Sequence, residues 1–181
     1  MHRVENRPRS EGKVCAFTGH RPSKYPFLAD AESEDYRRLE ALVLSHVIRI
    51  ADEGFSHFIC GGALGADMLC AMQVIQARQS LPGITLELAL PCPEHSVKWR
   101  KADRQALERI KDKADIITTV CPMYTEFCMN ERNKYMVECC DTLTAIFDGT
   151  RGGTWNTVKM ALDAGKHGTV IDPKTFALME L

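Results

Sequence analysis

Short apolar runs alternate with stretches of helical periodicity along almost the whole chain, and this alternation is the strongest constraint on its fold. A strand buried on both faces reads as a continuous apolar run, and the helix that carries the chain back to the next parallel strand reads with a period of 3.6. The strand candidates are Val14–Thr18, His57–Cys60, Ile84–Leu90, Asp115–Val120, Thr142–Phe147 and Thr169–Asp172. Between the first two, "SEDYRRLEALVLSHVIRIADEG" offers Ser33 as N-cap and acids in the first turn. Leu39, Leu42, Val43, Val47 and Ile50 keep helical spacing, and Gly54 falls at the C′ position. Further helices are expected over about Leu64–Gln79, Val97–Lys113, Met129–Cys139 and Trp155–Ala164. This order predicts an α/β three-layer sandwich, with a mostly parallel central sheet flanked by helices on both faces.

With 181 residues, 45% of them hydrophobic, one well-buried core is affordable and a single domain is expected over residues 13–181. Residues 1–12 are polar and read as a loose tail. A net charge of −1 gives no global basic field of the kind a dedicated nucleic-acid binder carries. The eight cysteines lie within apolar runs or side by side, as at Cys139 and Cys140, with no C-x-x-C pair, so they read as reduced, mostly buried thiols. A zinc set of Cys92, His95, Cys121 and Cys128 has ligand-like spacing only in its first two members, so no metal is expected. No apolar run approaches the roughly 18 residues of a membrane span, and the start lacks an export signal. The expected location is cytoplasmic.

Ligands of an open parallel sheet bind beyond the carboxyl ends of its strands, so four loops can be inspected together. The first strand ends in "FTGHRPSKYPF", where Thr18 and Gly19 permit close backbone approach and His20, Arg21 and Lys24 are either anion donors or solvated groups beside a plain turn. The second ends in "CGGALGAD". Gly61, Gly62 and Gly65 lead into a helix start whose free N–H groups suit an anion. Asp67 there either complements the helix dipole or accepts hydrogen bonds from a ribose or base. This is not the dinucleotide fingerprint, because no acid follows about 20 residues on, and no nicotinamide or other cofactor is expected. The third loop, "PCPEHSVKWRKADR", contains Trp99, read as core packing or as a lid that stacks on a base. The fifth strand delivers "DGTRGGTWNT", in which Gly152, Gly153 and Thr154 would present N–H groups and a hydroxyl to a phosphate at a helix start.

Taken together, "TGHRP", "GGALGAD" and "MNERNKYMVECCDTLTAIFDGTRGGTWNTVKMALDAGK" resemble the SLOG superfamily of Rossmann-like proteins, closest to its YpsA-like group, over about residues 13–172. Other members are the LOG phosphoribohydrolases, which release a base from nucleoside 5′-monophosphates, and DprA, which binds single-stranded DNA. The resemblance implies a nucleotide or nucleotide-derived ligand across the strand ends. Thr18, Gly19 and Arg21 would form one wall, Gly61, Gly62, Gly65 and Asp67 the second, and Gly152, Gly153 and Thr154 the phosphate turn. "MNERNKYM" is similar to the helix carrying the LOG active-site arginine, which places Arg132 in that role or leaves it a surface arginine. LOG enzymes continue with Gly-Gly-x-Gly-Thr-x-x-Glu, whose glutamate assists departure of the base. Here that glutamate position is Thr157, whose hydroxyl cannot supply the charge that stabilises an oxocarbenium-like state. Asp148 or Asp67 would have to substitute. The expected function is therefore nucleotide binding, as a sensor or sequestering protein. A LOG-like N-glycosidase using Arg132 and Asp148 is the alternative, and DprA-like single-stranded DNA binding ranks last. A homodimer is the default expectation for the assembly.

Overall fold

The computed structural model describes residues 12–181, so all but Gly12 of the expected tail lies outside the described residues. Seven strands form one sheet in the order β4-β3-β2-β1-β5-β6-β7. They are β1 (Lys13–Gly19), β2 (Phe55–Cys60), β3 (Thr85–Leu90), β4 (Ile116–Thr119), β5 (Thr142–Ile146), β6 (His167–Ile171) and β7 (Leu178–Glu180). All neighbours run parallel except β7, which pairs antiparallel with β6 through Ile171 and Leu178. The helices are α1 (Glu34–Asp52), α2 (Ala66–Ala77), α3 (Lys101–Lys111), α4 (Cys128–Cys139) and α5 (Gly153–Asp163), with a 3-10 turn at Pro26–Ala29. The α/β sandwich with a mostly parallel sheet read from the alternation, and the Rossmann-like fold implied by the resemblance, are what the chain adopts.

Helix α1 forms where its caps and stripe direct it. Ser33 Oγ accepts from Tyr36 N at 3.2 Å, Glu34 and Asp35 occupy the first turn, and Leu39, Val43, Val47 and Ile50 are buried. Gly54 closes it with φ +95°, a conformation L side chains rarely adopt. One core layer packs α1, α2 and Ile110 of α3 against Cys15, Phe17, Phe58, Cys60 and Leu88. The other packs α4 and α5 against Ala16, Ile59, Leu143, Ala145 and Val170. Phe17 and Phe58 are fully buried and stacked at 6.1 Å, each contributing about 1.5–3 kcal/mol of burial. α4 is further tied to the sheet by Tyr135, whose hydroxyl donates to Glu87 Oε1 at 2.6 Å.

One boundary and one strand differ from expectation for physical reasons. Residues 91–99 form turns after Pro91 and Pro93, so α3 begins at Lys101 rather than Val97, which is exposed. β7 was not foreseen, because three exposed residues carry no alternation. Gly168 marks a close strand approach: an added Cβ would overlap the Leu143 carbonyl, which is backbone and cannot yield. Gly168→Ala is expected to cost about 1–3 kcal/mol, measured by urea unfolding. A loss below a few tenths would show that β6 shifts freely.

All eight cysteines are free thiols, six of them buried. Burial pushes Cys15 up to about 12 and holds Cys60 and Cys70 well above the ordinary thiol value. Among the described residues, Cys92, His95, Cys121 and Cys128 do not assemble into a metal-holding group. None of the described helices is long and apolar enough to cross a membrane.

Candidate functional site

The helices on the two faces diverge between β1 and β5, opening a crevice at the carboxyl ends of these strands. A cleft of about 410 Å³ lies there, within the usual range for small-molecule sites. Thr18, Gly19 and Arg21 line it from β1 and its loop, Asp67 from α2, Arg132 from α4, and Gly152, Gly153 and Thr154 from the α5 turn. Eight of the twelve residues singled out from sequence thus meet in one cavity. A larger groove, about 560 Å³, sits at the opposite ends of β5 and β6, lined by Thr142, Thr144 and His46. Among the described residues it has neither a glycine turn nor a helix start, so the smaller cleft is the candidate ligand site.

Gly61, Gly62, Gly65 and Trp99 stand outside the lining. The glycines act one layer back. A Cβ on Gly61 would overlap Arg132 Nη1 and Asp67 Oδ2, so glycine makes room for that ion pair. Gly65, at φ +92°, brings the start of α2 against Pro22, and Ala66 N donates to the His20 carbonyl at 3.1 Å. Gly62 faces Leu90 and Leu107. Trp99 is half-buried, edge-on to His95 at 5.4 Å.

Arg132 and Asp67 form a buried pair, Nη1 to Oδ2 at 3.6 Å. Arg132 also donates through Nη1 to the carbonyls of Gly61 and Ala89 and through Nε to Asn133 Oδ1 at 2.8 Å. Among the described residues no hydrogen bond to Nη2 is made, and Arg132, though only 6% exposed, lines the cleft. Burial pushes the Asp67 carboxyl up, while the Arg132 guanidinium and the Ala63 N–H pull it back. The same burial works against the charge on Arg132, which guanidinium basicity and Asp67 sustain.

The turn between β5 and α5 is shaped by Asp148, whose side chain is 1% exposed. Its carboxylate accepts from His20 Nε2 at 2.8 Å, Tyr25 OH at 2.7 Å, Thr150 N at 3.1 Å and Thr150 Oγ1 at 2.6 Å. Lys24 and Lys174 stand 3.4 and 3.5 Å away, and Lys24 also donates to Thr150. Burial alone would raise the Asp148 carboxyl; hydrogen bonds from Thr150, Tyr25 and His20 outweigh it and hold the group far below the carboxylate range. Gly149 and Gly152, at φ +83° and +153°, complete the turn, and no side chain caps the first N–H groups of α5. Thr157 is fully buried, its hydroxyl donating to the Gly153 carbonyl at 3.1 Å. It is absent from the cleft lining.

The sequence reading left Ser23, Ala63, Met129, Asn130, Asn133 and Arg151 out of the site, although all line the cleft. Helical spacing offered a signal for two of them, since Met129 stands three residues before Arg132 and four before Asn133. Comparison with known proteins accords with this geometry. The YpsA family profile, described as the YspA SLOG family, matches residues 15–173. The chain belongs to this SLOG family. Among its relatives, a UPF0398 protein of Bacillus pumilus is 24% identical over 151 residues, covering 78% of this chain and 77% of that one. The uncharacterized SPbeta prophage-derived protein YoqJ of Bacillus subtilis is 27% identical over 124 residues, covering 62% and 72%. Among solved structures, DNA processing protein A of Streptococcus pneumoniae shares the fold, with TM-score 0.61 at 16% identity. The chain is covered to 90% but spans only 51% of that protein. The Helicobacter pylori counterpart, whose structure is titled for its single-stranded DNA binding mode, gives 0.58 at 17% identity, covering 89% and 66%.

Proposed function

We propose that this SLOG protein binds a phosphate-bearing nucleotide or nucleotide derivative in the β1–β5 cleft, as a sensor or sequestering protein. The observation that carries this reading is the uncapped start of α5, with Gly152, Gly153 and Thr154 facing the same cavity as Arg21, Lys24 and Arg151. Free N–H groups, the helix dipole and the nearby cations together suit a phosphate. The Asp67–Arg132 pair offers polar recognition for the rest of the ligand. Calorimetry against AMP, ADP and ADP-ribose tests it. Lys24→Ala with Arg151→Ala is expected to weaken the best ligand about 10- to 100-fold, since a hydrogen bond to a charged group is worth about 1.5–3 kcal/mol. If no nucleotide binds and native mass spectrometry finds no ligand carried from the expression host, the reading fails.

A second reading, nucleoside 5′-monophosphate N-glycosidase, draws support from Arg132 in the cleft but meets a buried Thr157 where LOG enzymes carry glutamate. Free base appearing from AMP on chromatography would establish it. Single-stranded DNA, named for the Helicobacter protein, gains no support from a net charge of −1.

A further inference from the structure

His20 lines the cleft beside the phosphate turn, and its ring is held from several sides. Tyr25 and Phe147 flank it, with ring centroids 5.5 and 5.6 Å away. Its Nε2 lies 2.8 Å from Asp148 Oδ1 and 3.3 Å from the Asp148 backbone N. These neighbours demand opposite tautomers, because a carboxylate needs an N–H and a backbone N–H needs a lone pair. The carboxylate decides between them. Asp148 is ionised, so a lone pair on Nε2 would oppose an anionic oxygen at 2.8 Å, whereas protonating Nε2 sacrifices only the longer backbone contact. The proton therefore resides on Nε2.

Nδ1 then carries the lone pair. Among the described residues no group bonds it, and it is not one of the fully buried nitrogens without a partner, although the side chain as a whole is only 9% exposed. Burial lowers the His20 pKa from its ordinary value, Asp148 opposes this, and Lys24 and Lys174 add to the lowering. The ring is neutral near pH 7. A carboxylate that fixes the tautomer of a neutral imidazole in a residue that lines a cavity is the arrangement of a general base.

We propose that His20 is a general base that activates water to hydrolyse a nucleotide phosphoanhydride in this cleft, with Asp148 as its positioning residue. This rests on the nucleotide-binding reading above. The bond class follows from which protons are available. Asp67 is paired with Arg132, and the Tyr25 proton is donated to Asp148. The Lys24 ammonium near His20 is held by Asp148 and Thr150, so among the described residues no acid there is free to protonate a leaving group, and the group that departs must be stable unprotonated. A phosphate is; an alkoxide or a base nitrogen is not. In the step, the water oxygen bonds to the phosphorus seated on the α5 turn, and His20 Nδ1 takes the water proton. The bridging P–O bond breaks with its electron pair passing to the departing phosphate oxygen. The imidazolium, stabilised by Asp148, then returns its proton to solvent.

The probe is ADP in magnesium-containing buffer, with binding followed by calorimetry and products by phosphorus NMR in ¹⁸O-enriched water. The expected result is AMP and inorganic phosphate, one ¹⁸O entering a product phosphate, with AMP itself left unchanged. His20→Gln keeps a donor for Asp148 but lacks the base. It should retain ADP affinity within about threefold while turnover falls about 10²–10⁴-fold, the usual worth of general base catalysis. The acid limb of the wild-type rate profile should follow His20, whose charged and titratable neighbours are Asp148, Tyr25, Lys24 and Lys174, and vanish in the variant. ADP that binds without releasing phosphate overturns the inference and leaves the binding reading intact. Unchanged turnover in His20→Gln, or free adenine without phosphate, overturns it equally. ADP that does not bind overturns the inference too, and the binding reading falls with it only if AMP and ADP-ribose also fail to bind and no ligand is carried from the host.

Discussion

Arg132→Ala is expected to cost about 3–5 kcal/mol of folding stability, because it strands a buried carboxylate rather than merely deleting a surface cation. Asp67 would keep only the Ala63 N–H, at 3.4 Å, and the carbonyls of Gly61 and Ala89 would lose their shared donor. The cleft would also lose a cation from its lining. Urea unfolding and calorimetry separate these two effects. Arg132→Met combined with Asp67→Asn removes both charges together and should recover most of the stability, since a buried ion pair is often neutral against apolar or uncharged replacements. It should not recover nucleotide affinity. A single variant that loses less than about 1 kcal/mol would show that Asp67 sits neutral beside the arginine and that the pair contributes little. A double variant that binds as the wild type does would remove Arg132 from the ligand site.

This pair also marks how far the sequence is legible. The alternation of apolar runs and helical periods was enough for the sheet and both helix layers, because burial on two faces imposes those periods directly. Glycine was harder to read. Gly61, Gly62 and Gly65 looked like room for a ligand, whereas Gly61 is room for Arg132 and Asp67, Gly65 for Pro22, and Gly62 for Leu90 and Leu107. A missing side chain reports that something approaches closely, not what does. The pattern around Trp99 likewise does not distinguish a lid from a tryptophan packed on a neighbouring histidine, which is how it sits. The role of Asp148 had no local signal at all. Its partners come from Tyr25 and His20, 123 and 128 residues away in sequence, and from Lys174 in the turn before β7, the strand that three exposed residues gave no means to foresee.

Asp148 carries the second large expectation. Asp148→Ala should cost about 3 kcal/mol, because the donors of His20, Tyr25 and Thr150 lose one charged acceptor together and leave partly buried polar groups unpaired. Its pH dependence is more diagnostic. The folded state holds this carboxyl far below the ordinary range, so between that value and about 3.9, the unfolded value, the unfolded chain binds more protons. Stability from Asp148 is therefore complete above about pH 4 and is lost as pH falls below it. The histidines act in a separate window: His20 is lowered by burial and His46 is lowered to about 4, so both favour the folded state above about 6.5, with loss beginning as pH falls through it. Asp67 has the opposite sign. Its raised carboxyl contributes at low pH and loses that contribution as pH rises through the folded value. Unfolding of Asp148→Asn, followed in urea from pH 7 to 2.5, should thus flatten below pH 4 while keeping the slope between 6.5 and 4 that His46 supplies, since His46 bonds Thr144 and Arg49 and not Asp148. An unaltered acid limb in Asp148→Asn would mean that the β5–α5 turn is held by Thr150 and Lys24 without the carboxylate, and the base proposed at His20 would lose its anchor with it.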